Sequence, residues 1–168
     1  PPSSLHLLGQ CMREQLFPIV YAANKMDIAP PGVLEAFPDR TMVACMSDME
    51  LALRRAATAG LVRYQSGDST FDVNGTAELN DAQSKALTHM KKRLEGAGGT
   101  GIARLLDEVL FDQLEHIVVY PVQDETHWVD GDGKVLPDAL VVPSGFHAKA
   151  LAGRVHTDLE AGFIRGVD

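Results

Sequence analysis

The stretch Phe17-Pro18-Ile19-Val20-Tyr21-Ala22-Ala23 constrains the fold of this chain more than any other part of it. It is short, apolar and unbroken by charge, and it runs directly into the polar tetrapeptide Asn24-Lys25-Met26-Asp27. An apolar run without alternation suits a strand covered on both faces in a parallel sheet, so a buried strand is expected from Leu16 to Ala23.

The segments that follow extend the pattern. Pro30, Pro31 and Gly32 open a turn or short helix through Val33 to Phe37, and Thr41 to Met46 reads as a second apolar strand. Ser47-Asp48-Met49-Glu50 has the S-x-x-E form of a capping box, predicting a helix that carries Leu51, Leu53, Ala56 and Ala57 and stops at Gly60. Strand, loop, helix in this order is the grammar of a doubly wound α/β sheet, which is expected to occupy 1–65. Residues 64–79 read as a polar connection, with Gly67, Asp68, Asn74 and Gly75 as turn formers. Asn80 then caps a helix to about Glu95, with Gln83 three residues on and Ala86, Leu87, Met90 and Leu94 at helical spacing. A further amphipathic helix is built on Ile102, Leu105, Leu106, Val109, Leu110 and Leu114, so 66–115 is expected to be a helical connector.

From His116 the period changes. Strands are expected over Ile117 to Val122 and Ala139 to Val142, a turn at Asp130-Gly131-Asp132-Gly133, a helix from Ser144 to about Leu159, and a strand starting over Phe163 to Val167. That order suggests a β-grasp module over 116–168, truncated because such a sheet needs one more strand after the helix.

Composition narrows the classes. The chain has 168 residues, 45 % hydrophobic, enough for one ordinary domain or two small ones. Its formal net charge of −8, dispersed along the sequence, argues against strong sequence-independent nucleic-acid binding, though a local basic face is possible around Lys91, Lys92 and Arg93. Cys11 and Cys45 are expected to be small buried hydrophobes in a reducing compartment. With no signal peptide and no apolar run of membrane-spanning length, a soluble cytoplasmic protein with no membrane partner is expected.

The tetrapeptide carries the chemistry. A carboxylate at Asp27 can accept two hydrogen bonds from guanine, at N1–H and at the exocyclic amine, each charge-assisted bond contributing roughly 1.5–3 kcal/mol. Adenine lacks both donors there and would leave the carboxylate desolvated and unpaired. The Asn24 amide can tie its loop to neighbouring loops, and the Lys25 stem can lie over the base with its ammonium in water. N-K-x-D at the end of a buried strand is how P-loop GTPases read guanine. In such proteins the next strand ends in a small-residue loop whose backbone N–H meets the guanine oxygen; in this chain that loop is Cys45-Met46-Ser47-Asp48. Ser47 is then either a base-contacting backbone or only a helix cap.

Other motifs read as structural. Gly96-Ala97-Gly98-Gly99-Thr100-Gly101 fits G-x-G-x-x-G, but a charged helix rather than a strand precedes it, and Ile102 and Ala103 stand where a phosphate loop has Lys and Ser or Thr. A flexible interhelical loop is expected. His116, His127, His147 and His156 lack paired metal-ligand spacing and read as surface or capping residues. Asp130-Gly131-Asp132-Gly133 lacks the later Glu of a calcium loop and reads as a hairpin turn. Trp128, the only tryptophan, is expected to be a buried ring in preference to the alternative, a partner contact.

From Pro18 to Asp168 the chain resembles the Obg-related GTPases of the YchF type, in their archaeal form. The likeness is densest in Ala22-Ala23-Asn24-Lys25-Met26-Asp27, in Glu50-Leu51-Ala52-Leu53-Arg54-Arg55-Ala56-Ala57 and in Val119-Tyr120-Pro121-Val122-Gln123-Asp124-Glu125. It continues through Asp132-Gly133-Lys134-Val135-Leu136-Pro137-Asp138 and His156-Thr157-Asp158-Leu159, which look like the TGS β-grasp module. The resemblance implies a GTPase linked to ribosomes or RNA, with base recognition carried onto Asn24, Lys25 and Asp27 and Mg2+ held outside this stretch. Two departures stand out: Met46-Ser47 replaces the usual Ser-Ala, and the TGS module stops short. Because the chain opens on Pro1 and has no G-x-x-x-x-G-K-[ST] segment, it is expected to be the C-terminal part of a GTP-binding protein, inactive in hydrolysis by itself. The alternative is a non-enzymatic RNA- or ribosome-binding adaptor with a vestigial nucleotide site.

Overall fold

In the computed structural model, residues 3–17, 19–123, 126–136 and 138–166 are described; Pro1, Pro18, Asp124, Glu125, Pro137, Val167 and Asp168, named above, lie outside them. The chain divides into two units, Pro1–Val109 and Leu110–Asp168.

The first unit opens with a helix, not a strand. Helix α1 spans Ser4–Leu16, with the Ser3 side chain accepting from the His6 N–H at its start. A residue that precedes proline is pushed out of helical geometry, and Phe17 (φ −136°) ends α1 accordingly. The buried strand expected from Leu16 is therefore only Tyr21–Ala23, strand β1; Leu16, Phe17 and Ile19 are exposed. Strand β2, Met42–Ala44, pairs with it in parallel, Ala22 facing Val43 in register. With β2 as its one described neighbour, β1 is half covered and Ala22 is exposed. Cys11 lies exposed on α1, whereas Cys45 is fully buried, so the expectation for the two cysteines holds only for the second.

Helix α2, Ser47–Thr58, follows β2, and Gly60 closes it from the left-handed region (φ 71°). Within 64–79 the polar connection contributes one side of a short antiparallel hairpin between β3, Val62–Arg63, and β4, Asp72–Val73. It brings Phe71 into a core with Leu53, Val62, Leu87 and Leu94. The last two lie on helix α3, Asp81–Ala97, which carries the complete Asn80–Gln83 capping box read from the sequence. The helical segment thus shares its core with the α/β part. Helix α4, Ile102–Asp107, leads into a π-helical turn, Glu108–Gln113.

In the second unit, β5, His116–Val119, pairs antiparallel with β6, Leu140–Pro143. The Asp130 turn forms as expected: its Oδ1 accepts from the N–H groups of Asp132 and Lys134. The single helix expected from Ser144 is two, α5, Ala148–Val155, and α6, Thr157–Ala161. His156 separates them in an extended conformation, and its ring accepts from the Asp158 N–H to cap α6. Residues 163–166 are not in a strand. Trp128 is 60 % exposed, correcting the buried ring. Its carbonyl accepts from the Leu136 N–H across the hairpin, and its backbone lies in the left-handed region at φ 55°. The described strands thus form three two-stranded sheets in a mixed α/β chain. No described helix is long and apolar enough to cross a membrane.

Candidate functional site

The parallel pair fixes where the tetrapeptide stands. Cys45 N–H donates to the Ala23 carbonyl (2.8 Å) and Met26 N–H donates back to the Cys45 carbonyl (3.1 Å), so the loops leaving β1 and β2 are bonded to each other. Between these anchors Lys25 sits in the left-handed region at φ 62°, and Ile28 N–H donates to its carbonyl, closing a tight turn. That turn leaves Asp27 half-buried on the wall of a cleft of ≈ 840 Å³, with Met26, Ala44 and Met46 beside it. A volume of this order suits a small organic ligand.

The Asn24 amide does what its type allows. Its Oδ1 accepts from the Ser47 N–H (3.0 Å), joining the β1 loop to the first residue of α2. Asn24 and Lys25 are exposed, and neither lines the cleft. Ser47 is not the cap: Met46 holds the N-cap position without a side-chain cap bond of its own, and the Asn24 amide takes the first helical N–H instead. The S-x-x-E pattern misled because its glutamate is drawn elsewhere. Of the donors on the loop after β2, Met46 N–H goes to the Thr100 carbonyl (2.8 Å) and Ser47 N–H to Asn24. A base oxygen seeking Ser47 N–H has to displace the Asn24 amide.

Glu50 is the residue that sequence reasoning missed. Its carboxylate is buried, accepting from Thr100 Oγ1 (2.6 Å) and Tyr64 OH (2.7 Å) on one oxygen and from Arg54 Nε (2.7 Å) on the other. Burial alone pushes this pKa up; hydrogen bonds from Thr100, Arg54, Tyr64 and Ser66 outweigh it and hold the group at about 2. Burial first, and the Glu50 carboxylate beside it, push the Tyr64 hydroxyl up to about 12. The signal available in the sequence was a glutamate on the apolar side of an amphipathic helix, one turn before Arg54.

The 96–101 loop is also corrected. Gly96 and Ala97 end α3, and the remainder, 98–101, lies between helices but is docked rather than flexible: Gly99 and Thr100 are buried, and Cys45 Sγ–H points to the Gly101 carbonyl at 3.7 Å. Gly101 (φ 81°) lies so close to β2 that a Cβ there would overlap the Ala44 carbonyl. The loop forms one wall of the cleft, and Lys92 and Arg93 of α3 and Arg104 of α4 lie on its lining. Among the described residues no cluster of three or more His, Cys, Asp or Glu is placed to hold a metal ion.

Known proteins align with this arrangement. Residues 22–124, spanning both strand ends and the docked loop, match the family described as Obg-like GTPase YGR210-like, G4 motif-containing domain. An uncharacterised GTP-binding protein of Methanocaldococcus jannaschii is 35 % identical over 166 residues, which is 96 % of this chain and 42 % of that protein. The crystal structure of a GTP-binding protein from Pyrococcus horikoshii OT3 superposes with a TM-score of 0.62 at 31 % identity, covering 91 % of this chain and 40 % of that one. The chain therefore spans less than half the length of these relatives. By the family match over residues 22–124, with the Asn24–Asp27 loop at its start, the chain belongs to the Obg-like GTPase YGR210-like family, in its G4 motif-containing domain.

Proposed function

We propose that this chain carries the guanine-reading end of a GTP-binding protein that hydrolyses GTP, with Asp27 as the residue that selects the base. One observation carries the reading: the Asp27 carboxylate is held half-buried on an open cleft at the end of a parallel strand pair. A carboxylate so placed is neither fully hydrated nor paired in a core, and it discriminates steeply for a ligand edge with two adjacent donors. Asn24 supports it by tying the β1 loop to Ser47. Lys25 stands next to it in the turn, where its stem can cover a bound base. Met46 supplies apolar wall, and the Ser47 N–H is the donor assigned to a base oxygen, provided that Asn24 yields it.

Hydrolysis is assigned to the complete gene product, not to these residues. Phosphoryl transfer depends on phosphate positioning and on charge stabilisation that Mg2+ supplies when bound. The sequence holds no G-x-x-x-x-G-K-[ST] segment, and the part assigned to Asn24, Lys25 and Asp27 in that reaction is base recognition. The division into 1–65, a 66–115 connector and a 116–168 TGS β-grasp module belongs to the same reading. The second unit exposes Trp128 and Tyr120, aromatic surface suited to stacking on RNA bases or docking on a ribosomal protein in the cytoplasm. That exposure favours the adaptor reading if the nucleotide site proves vestigial.

Competition binding on the complete gene product tests the assignment. Asp27→Asn should weaken GTP on the order of tenfold to a hundredfold, the loss of one charge-assisted bond, and raise the relative affinity for xanthosine triphosphate. An unchanged preference removes Asp27 from the base site.

A further inference from the structure

Three hydrogen bonds close a ring around the end of β2. Glu50 N–H donates to the Met46 carbonyl (3.0 Å), Thr100 Oγ1 donates to Glu50 Oε2 (2.6 Å), and Met46 N–H donates to the Thr100 carbonyl (2.8 Å). All three residues of the ring are buried: Glu50 is 5 % exposed, Thr100 2 % and Met46 5 %. Two of the three, Met46 and Thr100, reach the cleft that Asp27 lines, and the third does not. Helix formation accounts for the first bond, but nothing in helix or sheet geometry requires the other two. They join α2 to a loop fifty residues away in sequence.

We propose that the 96–101 loop is a third element of the base site, beside the loops after β1 and β2, and that Glu50 is its positioning residue. Glu50 touches no ligand. It fixes the Thr100 hydroxyl, which fixes the Thr100 carbonyl, which anchors Met46. Tyr64 bonds the same oxygen as Thr100 and Arg54 bonds the other, which holds the carboxylate in one orientation. The ring therefore fixes Met46 and Thr100 against each other on the wall of the cleft that Asp27 lines, the surface on which a planar purine would lie with its edge toward Asp27. A wall that loosens leaves the base free to tilt, and tilt weakens the second of Asp27's two hydrogen bonds before the first, because hydrogen bonds lose strength steeply with angle. The ligand class is a guanine nucleotide with its exocyclic amine intact.

This inference rests on Asp27 as base reader, and the test separates the two. Dissociation constants for GDP and for IDP, which lacks the exocyclic amine, are measured on the complete gene product; their ratio reads the second hydrogen bond and is unaffected by the fraction of protein folded. Thr100→Val keeps the side-chain shape and removes the donor, and should lower the GDP preference on the order of fivefold; Thr100→Ser should restore it. Glu50→Gln, which preserves volume, should lower it in the same direction. Asp27→Asn should abolish it. If Asp27→Asn abolishes the preference while Thr100→Val and Glu50→Gln retain it in full, the positioning role is overturned and Asp27 stands. A wild-type protein with no preference for GDP over IDP overturns both.

Discussion

Gly101→Ala is expected to dislodge the 96–101 loop from the end of β2 and to cost the first unit about 2–4 kcal/mol, combining overpacking with left-handed strain. The added methyl group meets backbone on every side that matters: it overlaps the Ala44 carbonyl oxygen and lies 2.9 Å from the Ala44 carbonyl carbon and 3.2 Å from Cys45 Cα. Neither strand nor loop can yield by rotating a side chain. Gly98→Ala is the control. It shares the left-handed conformation (φ 71°) but has nothing within 4 Å, so it should lose only about 1 kcal/mol of conformational preference. Urea or thermal unfolding reads the difference, with Tm falling roughly 4–8 °C per kcal/mol in a unit of this size. Equal losses at the two glycines contradict the docked position of the loop.

Acid should remove the stabilisation that Glu50 supplies. Its native pKa of about 2 lies below the ordinary value of 4.5, so folding favours the ionised form. The contribution is complete above pH 4.5 and is lost as pH falls from there through about 2. The side chain is 7 % accessible, so solvent screens little of it. Glu50→Gln should cost about 1.5–3 kcal/mol at neutral pH, since charge-assisted bonds to Arg54, Tyr64 and Thr100 are weakened together. Its stability should also be flatter than the wild type's across that acid window. Parallel pH profiles for the two proteins would remove Glu50 from the network.

Local signals survived intact where one element decided the outcome. The Asn80–Gln83 box, the Gly60 stop and the Asp130 turn each depend on residues within a few positions of one another, and each forms as read. The strand ends around Asn24–Asp27 were legible for the same reason. Readings failed where a distant partner competed. Ser47–Glu50 has the letters of a capping box, yet Thr100, Tyr64 and Arg54 take the glutamate and Asn24 takes the Ser47 donor. The glycine run 96–101 reads as slack chain until β2 is placed beside it, when the glycines become the condition for close approach. Helix α1 was not read from the sequence, and its apolar stripe, Leu5, Leu8, Met12 and Leu16, stays exposed among the described residues. Trp128 failed likewise: it stands exposed beside the Asp130 turn.

Guanine is expected in the cleft that Asp27, Met46 and the glycine loop line together. Two-dimensional NMR titration of the chain with GDP and, separately, with ADP reports on it directly. The amides of Asp27, Met46 and residues 96–101 should shift progressively with GDP and remain in place with ADP. Equal shifts with both nucleotides, or shifts confined to residues outside that cleft, contradict it.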